Sequence, residues 1–239
     1  MQDNVMNIKP YLHMRAITIA IADDHVPTLN RLGSYLGKNE AISICLQAVN
    51  GYDLILKIAN AKTVPEIILL DINMPVIDGV SASFYLNYHF PNIRVIGLSV
   101  YDDLNMITNV ITTGAAGYVL KANVENVLEE AIRHVHEGYI YFDPRIELDD
   151  KQKLAMLAKR EKRDPTKENS FGLTPREATF VILNATPLSY DQIARIMFVE
   201  TKTIQTYFDR VAKKLNVSSR QALTIFSIQN GLSKLANYP

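Results

Sequence analysis

Five polar side chains stand at or just after apolar runs of the chain, where they could act together on a charged ligand. Asp23 and Asp24 follow the first run, Asp71 follows a later one, and Ser99 and Lys121 come at the ends of two more. Clustered carboxylates repel one another unless a cation lies among them, and hard oxygen ligands around a small site favour Mg²⁺. A hydroxyl and an ammonium group beside Mg²⁺ would neutralise phosphoryl oxygens. Asp71 could then act as the nucleophile and form an aspartyl phosphate.

The spacing of apolar residues between positions 15 and 144 predicts the elements that would bring these groups together. Five runs rich in Ile, Leu and Val are typical of buried parallel strands. They are Ala16–Ala22, Ile42–Ala48, Glu66–Leu70, Arg94–Ser99 and Ala116–Leu120. Amphipathic segments between them predict helices over Val26–Lys38, Gly51–Ala61, Val80–His89, Asp103–Thr113 and Val124–Glu137. Five βα units predict an α/β domain with a doubly wound parallel sheet. In the strand order 2-1-3-4-5, strands 1 and 3 are neighbours, so the three carboxylates would meet beyond their carboxyl ends.

Several short motifs in this region occur together and in order. They are Ala22-Asp23-Asp24-His25, Leu70-Asp71-Ile72-Asn73-Met74-Pro75, Asp78-Gly79, Leu98-Ser99 and Gly114-Ala115-Ala116-Gly117-Tyr118-Val119-Leu120-Lys121. With these motifs, residues 15–140 resemble the receiver domain of bacterial two-component response regulators. The resemblance implies a CheY-like, flavodoxin-like fold with five strands. One departure is Ala122, which stands where many receivers have proline after the lysine.

The resemblance also implies a role for each residue of the acidic site. Asp71 would be the phosphoacceptor, and Ser99 and Lys121 would hold the phosphoryl group. Mg²⁺ would be bound by Asp24, Asp71 and the backbone carbonyl of Asn73, with Asp23 acting through water. Tyr118 would be the aromatic switch that turns inward when Ser99 moves toward the phosphate.

Four of these residues have a structural interpretation as well. Asp23 or Asp24 could cap the helix that begins near Pro27, Lys121 could be a surface charge, and Tyr118 could be a core residue. A phosphatase of the haloacid dehalogenase type is a further alternative, although it would want a second aspartate at position 73, where this chain has Asn. Tyr101, two residues after Ser99, is expected to shield the acyl phosphate from water and slow its hydrolysis.

The charge balance indicates two parts with different partners. The chain has 25 Lys and Arg against 25 Asp and Glu. Residues 1–144 carry 9 basic and 15 acidic side chains (net −6), residues 145–172 carry 8 and 6 (net +2), and residues 173–239 carry 8 and 4 (net +4). We therefore divide the chain into an N-terminal extension at 1–14, the receiver at 15–144, a charged linker at 145–172, and a basic domain at 173–239. The linker is either partly helical or a solvated tether.

Composition excludes other classes. The chain is 48% hydrophobic, which is too high for a disordered protein, and no apolar run approaches the length of a membrane span. The single cysteine, Cys45, cannot form an internal disulfide and is expected to be a small buried hydrophobe. These features fit a reducing cytoplasm.

Residues 173–231 predict four helices. Thr174, Pro175 and Glu177 form an N-terminal capping pattern, and Ser189-x-x-Gln192 and Ser218-x-x-Gln221 repeat the capping-box spacing. Gly231 would close the last helix. The motifs Leu173-Thr174-Pro175-Arg176-Glu177, Ile193-Ala194-Arg195, Lys202-Thr203-Ile204, Lys213-Lys214-Leu215-Asn216-Val217, Ser219-Arg220 and Gly231-Leu232 resemble the LuxR-type helix-turn-helix of the NarL/FixJ branch.

The helix that begins near Glu200 is the expected recognition helix. Its 4-3-4 stripe of Ile204, Phe208, Val211 and Leu215 would face the core, leaving polar residues outward. We expect DNA contacts from Lys202, Thr203, Gln205, Thr206, Tyr207, Arg210, Lys213, Lys214 and Arg220. Basic residues would contact phosphates, and Gln205 and Thr206 could read base edges.

Glu200 and Asp209 depart from the pattern, because both place negative charge where DNA would approach. They predict weak binding by a single domain and dependence on a homodimer. An interaction module that has lost DNA binding is the alternative.

Together the two domains predict a phosphorylation-controlled transcriptional regulator. Its partners would be DNA, a sensor histidine kinase and a second copy of itself, with no membrane contact and no turnover of a separate substrate.

Overall fold

A computed structural model describes residues 15–162 and 171–230 of the chain. The first domain alternates strands and helices in chain order. Its strands are β1 (Ile17–Ala22), β2 (Ile42–Ala48), β3 (Ile67–Asp71), β4 (Arg94–Ser99), β5 (Gly117–Leu120) and β6 (Tyr141–Phe142). Its helices are α1 (Val26–Leu36), α2 (Gly51–Ala59), α3 (Gly79–His89), α4 (Leu104–Thr112) and α5 (Val124–His136), with a 3₁₀ turn at Lys121–Asn123 before α5.

The sheet is parallel throughout, in the order β2-β1-β3-β4-β5-β6. The predicted doubly wound architecture and the order of its first five strands are confirmed. The prediction of five strands was wrong by one, because two residues after α5, Tyr141 and Phe142, pair with Gly117 and Tyr118 at the edge. A two-residue strand leaves almost no periodic signal in a sequence.

The two faces of the sheet bury separate cores. Ile19 and Ile21 of β1 point toward α1 and α5, whereas Ala20 and Ala22 point toward α2, α3 and α4. This alternation follows from the two-residue period of a strand and explains why the strands are apolar on both sides.

The second domain has the four predicted helices, α7 (Pro175–Asn184), α8 (Tyr190–Met197), α9 (Thr201–Leu215) and α10 (Arg220–Gln229). Both partners of the predicted capping boxes at Thr174–Glu177 and Ser189–Gln192 are in place. The third capping prediction was wrong: Ser219, not Ser218, caps α10, and its side chain accepts from the backbone of Ala222. The expected role of Gly231 and the N-terminal extension at 1–14 lie outside the described residues.

The first half of the linker forms a helix, α6 (Asp150–Lys162). It packs against α4 of the first domain. Met156 is buried in this contact, whereas Leu154 is 65% exposed. Residues 163–170 of the linker lie outside the described part.

The two domains are in contact. Helix α3 packs against α7, and α2 against α8. The buried hydroxyl of Tyr85 on α3 donates a 2.8 Å hydrogen bond to the carbonyl of Ile196, near the end of α8. Because α3 is covered by the sheet on one side and by α7 on the other, none of its residues is exposed, and even Ser81 and Ser83 are buried.

Cys45 is exposed, so the prediction of a buried cysteine was wrong. It lies on β2, the strand at the edge of the sheet, beside Gly33 of α1, which offers no side chain to cover it. Among the helices of the described residues, none combines the length and apolar character needed to cross a membrane.

Candidate functional site: an acidic pocket and an exposed helix

The register of the sheet brings the three aspartates together. Ala22 of β1 pairs with Leu70 of β3, so the residues that follow, Asp23 and Asp71, lie side by side at the carboxyl edge. One carboxylate oxygen from each of Asp23, Asp24 and Asp71 lies within 4.8 Å of the others. Asp23 and Asp71 are buried and Asp24 is exposed. The pocket is therefore open to solvent on the side of Asp24.

Lys121 offsets one of the two negative charges in the buried part of the pocket. Its Nζ lies 2.7 Å from Oδ2 of Asp23 and 2.9 Å from Oδ2 of Asp71. Desolvation lowers the pKa of the ammonium group, but its hydrogen bonds to the two carboxylates outweigh that effect and raise the pKa above the ordinary value. Lys121 thus stays charged, and the alternative of a surface lysine is wrong.

Burial makes Asp71 a stronger base than an ordinary aspartate. Its residue is 3% exposed, and desolvation raises its pKa to about 6, although the hydrogen bond and the charge of Lys121 oppose the shift. Near neutral pH the carboxylate is still ionised and keeps a higher affinity for electrophiles than a solvated one.

The loop after β3 holds Asp71 from the other side. The backbone N–H of Asn73 donates to Oδ1 of Asp71 at 3.1 Å. Gly79 packs so closely that a Cβ there would collide with the carbonyl oxygen of Asp71. Val76 has a positive φ of 71° in a tight turn, in which Ile77 N–H donates to the Pro75 carbonyl. A β-branched residue is strained in this conformation, so the loop is held by its surroundings.

The alternative that an aspartate caps α1 is wrong. The N-cap of α1 is His25, which makes no side-chain capping bond. Oδ1 of Asp23 instead accepts from the backbone N–H of His25, while Oδ2 binds Lys121. Asp23 is therefore a member of the pocket and does not cap the helix.

Ser99 and Tyr118 meet at the backbone of Tyr101. The N–H of Tyr101 donates to Oγ of Ser99 at 3.1 Å, and the Tyr118 hydroxyl donates to the carbonyl of Tyr101 at 2.7 Å. Tyr118 is fully buried, and burial raises its pKa to about 12, so it remains a donor. Tyr118 is thus both a core residue and linked to the pocket. The side chain of Tyr101 is 44% exposed.

Sequence reasoning missed Asp143, which follows β6. It is 1% exposed, and its carboxylate accepts hydrogen bonds from the backbone of Leu120, the amide of Asn123 and the backbone of Arg145. These bonds fix the turn that carries Lys121. Its position after a strand end was the available signal, but β6 itself was not predicted.

The donor set of the pocket fits a hard divalent cation. Three carboxylates converge, two of them desolvated, and an exposed one offers an entry route. Oxygen ligands of this kind suit Mg²⁺ better than metals that prefer nitrogen or sulfur. Asn73, expected to contribute its backbone carbonyl, has an exposed side chain.

Six of the expected DNA contacts are exposed residues of α9. These are Lys202, Gln205, Thr206, Arg210, Lys213 and Lys214. Thr203 and Tyr207 are half-buried, and the Tyr207 ring stacks on Phe180 of α7 with centroids 6.0 Å apart. The apolar stripe is inward as predicted, with Ile204 and Val211 fully buried.

Lys214 and Arg220 are engaged within the protein. Nζ of Lys214 binds the buried carboxylate of Glu177 and the carbonyl of Gly172, both at 2.8 Å. Arg220 donates to the carbonyl of Leu188 and lies 5.0 Å over the ring of Tyr190. Both side chains therefore join helices of the domain.

The acidic departures on α9 also have partners. Nε2 of Gln205 donates to Oδ1 of Asp209 at 2.9 Å, one helical turn away. Glu200 is the N-cap of α9 without a capping bond, and its carboxylate pairs with Lys202 at 2.6 Å. The two acids thus partly neutralise or orient neighbouring groups on the exposed face.

Both domains match known families. Residues 19–133 match the response regulator receiver domain, and residues 172–227 match the bacterial regulatory proteins of the luxR family. Relatives include the transcriptional regulatory protein DegU of Brevibacillus brevis, 28% identical over 92% of this chain and 96% of that protein. The response regulator protein VraR of Staphylococcus epidermidis is 28% identical over 91% of this chain and 99% of its own length.

Solved structures share the fold. RcsB of Salmonella typhimurium is 22% identical, with a TM-score of 0.50 over 89% of this chain and 98% of that chain. The isolated receiver domain of RcsB from Salmonella enterica serovar Typhimurium covers 55% of this chain and 96% of its own, with 21% identity and a TM-score of 0.51. The chain therefore belongs to the NarL/FixJ-type response regulators, which join a receiver domain to a LuxR-type helix-turn-helix domain.

Proposed function

We propose that the protein is a phosphorylation-controlled, DNA-binding transcriptional regulator that accepts a phosphoryl group on Asp71 from a sensor histidine kinase. The observation that carries the proposal is the pocket itself. A buried carboxylate with a raised pKa lies 2.9 Å from an ammonium group and within 4.8 Å of two further carboxylates. The proposed partners, a kinase and promoter DNA, place the protein in the cytoplasm.

The residues divide the chemistry among them. A carboxylate oxygen of Asp71 attacks phosphorus, the bond from phosphorus to the donor nitrogen breaks, and the donor histidine leaves with its electron pair. Mg²⁺, when held by Asp24, Asp71 and the carbonyl of Asn73 with Asp23 acting through water, supplies positive charge to the phosphoryl oxygens. Lys121 and Ser99 hold the transferred group, and the exchange of Lys121 from carboxylate to phosphoryl oxygen keeps its charge paired.

The backbone of Tyr101 would transmit phosphorylation of Asp71 from Ser99 to Tyr118. Once Ser99 donates to a phosphoryl oxygen, its Oγ is less available to the N–H of Tyr101, which is now 3.1 Å away. The carbonyl of the same residue holds Tyr118. A change there reaches α4, which begins at Leu104 and carries the linker helix α6. Phosphorylation acts by biasing this two-state arrangement toward dimerisation and DNA binding.

The exposed face of α9 is the proposed DNA reader. Lys202, Arg210 and Lys213 contact phosphates, and Gln205 and Thr206 face base edges. The hydrogen bond to Asp209 uses one amide proton of Gln205 and leaves its carbonyl oxygen and second proton for a base. With two acids on this helix, a single domain binds weakly and a homodimer binds well.

The test is intact-mass spectrometry of the full chain with acetyl phosphate and Mg²⁺. Wild type should gain one phosphoryl group, located on Asp71 by peptide mapping, and Asp71→Asn should gain none. Phosphorylation elsewhere, or none at all, would contradict the proposal. If Asp71 is phosphorylated but neither state of the protein retards DNA in a gel, the protein would instead be an interaction module. The negative charges of Glu200 and Asp209 would support that alternative.

A further inference from the structure

A second pocket lies on the edge of the sheet opposite Asp71. It has a volume of about 560 Å³, within the usual range for small-molecule sites. The starts of β4, β5 and β6, the end of α3 and the linker helix α6 surround it. The lining residues are Asn87, Pro91, Ile93, Arg94, Gly114, Ala116, Gly138, Ile140, Leu157, Arg160 and Glu161. We propose that this pocket binds a small organic acid with one negative charge and an apolar body.

Two arginines from different elements supply the positive charge. Arg160 of α6 is half-buried, and its Nη2 donates to the carbonyl of Gly114 at 3.1 Å. Arg94 of β4 donates from Nη1 to the carbonyl of His136 at 3.1 Å. Within residues 15–162 and 171–230, neither guanidinium pairs with a carboxylate. Since each guanidinium has five N–H donors, both keep donors for a ligand.

The partial burial of Arg160 points to a missing counter-charge. Desolvation lowers the pKa of its guanidinium, and no acidic group within 15–162 and 171–230 offsets the shift. A half-buried charge without an ionic partner carries a desolvation cost, and an anion between Arg160 and Arg94 would offset part of that cost.

The remaining walls define the rest of the ligand. Ile93, Ala116, Ile140 and Leu157 line the pocket with apolar surface. Glu161 is exposed and also lines the pocket. Two cations against one carboxylate leave a single positive charge, which suits a monoanion better than a dianion. The apolar walls favour a carboxylate with a hydrocarbon body over inorganic phosphate.

Such a ligand would join the receiver to the linker. Arg94 lies in the sheet and Arg160 lies on α6, the helix that leads from the receiver toward the second domain. An anion held by both would fix α6 against the receiver. The inference does not rest on phosphorylation of Asp71, because the two sites share no residue.

The experiment is a titration of the full chain with benzoate, followed through the backbone amide signals of Gly114 and Gly138 by NMR. Saturable shifts are expected, with slower amide hydrogen exchange in α6. Arg160→Leu and Arg94→Leu should each weaken binding about tenfold or more. Arg31→Leu is the matched control, because Arg31 is exposed and pairs with Glu125 far from this pocket, and it should bind as wild type does.

Three results would overturn the proposal. The first is no saturable shift up to about 10 mM benzoate, a range that covers weak small-molecule binding. The second is equal affinity in wild type and both arginine variants. The third is saturation by inorganic phosphate but not by benzoate, which would contradict the assignment of an organic acid. Arg160→Lys, which keeps the charge, should bind more tightly than Arg160→Leu if both variants fold.

Discussion

The pocket around Asp71 and the outward face of α9 are both polar, but they are built in opposite ways. In the pocket, Asp23, Asp71 and Lys121 hold one another at 2.7–2.9 Å in buried surroundings. On α9, side chains such as Lys202 and Arg210 are exposed and would find their main partners on another molecule. The contrast indicates that the receiver is preorganised for chemistry, whereas the reader gains its contacts only when bound.

The largest effect should come from removing the Lys121 ammonium group, which pairs with both buried carboxylates of the pocket. Lys121→Ala leaves Asp23 and Asp71 buried together without a counter-charge. We expect the rate of phosphorylation by acetyl phosphate to fall about 100-fold, the usual cost of losing a preorganised charge at a reacting centre. The rate is measured by intact mass against time. Lys202→Ala is the control, since it removes an exposed lysine of α9 and should leave this rate unchanged while weakening DNA binding. A similar loss in both variants would erase the contrast between the two regions.

A pair of adjacent lysines tests the contrast within the second domain. Both are exposed on α9, but Lys214 also binds Glu177, whose side chain is only 7% exposed. Lys214→Ala should lower the free energy of unfolding by about 1–2 kcal/mol, since it leaves a buried carboxylate unpaired. Lys213→Ala should change it by less than about 0.5 kcal/mol but should reduce the salt dependence of DNA binding. Urea unfolding and a salt titration measure the two effects.

The stability loss of Lys214→Ala should also depend on pH. Burial raises the pKa of Glu177, but the bonds from Lys214 and Thr174 outweigh it, so the pKa lies below the ordinary 4.5. The stabilisation is therefore present above pH 4.5 and disappears as the pH falls through the lowered value. A difference between wild type and variant that persisted in strong acid would show that Lys214 acts through packing alone.

The sequence predicts the pocket better than the reader, for a physical reason. Parallel strands place their carboxyl ends at one edge, so Asp23, Asp71 and Ser99 had to converge once the strand order was known. Nothing similar fixes side chains on an exposed helix. The helical period shows that Lys214 points away from the axis of α9, but it does not reveal that its ammonium group pairs with Glu177 of α7.

Other features depend on contacts between distant segments. Asp143 acts through Leu120 and Asn123, and it follows a strand too short to predict. The bond from Tyr85 to Ile196 joins residues of two domains that periodicity treats separately. Both are consequences of the assembled fold.

The domain contact should be sensitive to acid through His89. Burial, together with the charge of Arg176 on α7, lowers its pKa to about 4, and the rings of Tyr85 and Tyr88 pack around it. The unfolded chain takes up its proton near pH 6.5, so stability falls as the pH drops from 6.5 toward 4.

Between pH 7 and pH 5, wild type should lose about 1 kcal/mol more than His89→Gln, allowing for the partly solvated ring. His136→Gln is the control, because His136 is exposed beside Glu66 and away from the contact between domains. Urea unfolding at the two pH values gives the comparison. An equal loss in His89→Gln and wild type would remove His89 from the account.

The smallest effect is expected at Tyr101, which shares a feature with each region. Its backbone is hydrogen-bonded to Ser99, as in the pocket, and the residue is 44% exposed, as on α9. If the ring shields the acyl phosphate, Tyr101→Ala should speed dephosphorylation about threefold, a shift of less than 1 kcal/mol in the barrier. Tyr101→Phe should keep the wild-type rate. An unchanged rate in the alanine variant would end the shielding hypothesis.

The central claim is that a phosphoryl group on Asp71 controls the DNA reader. The most direct measurement compares wild type with Asp71→Asn, each with and without acetyl phosphate, by sedimentation and genome-wide DNA binding. We expect only phosphorylated wild type to shift toward a dimer and to gain promoter occupancy. Identical behaviour in all four conditions would contradict it.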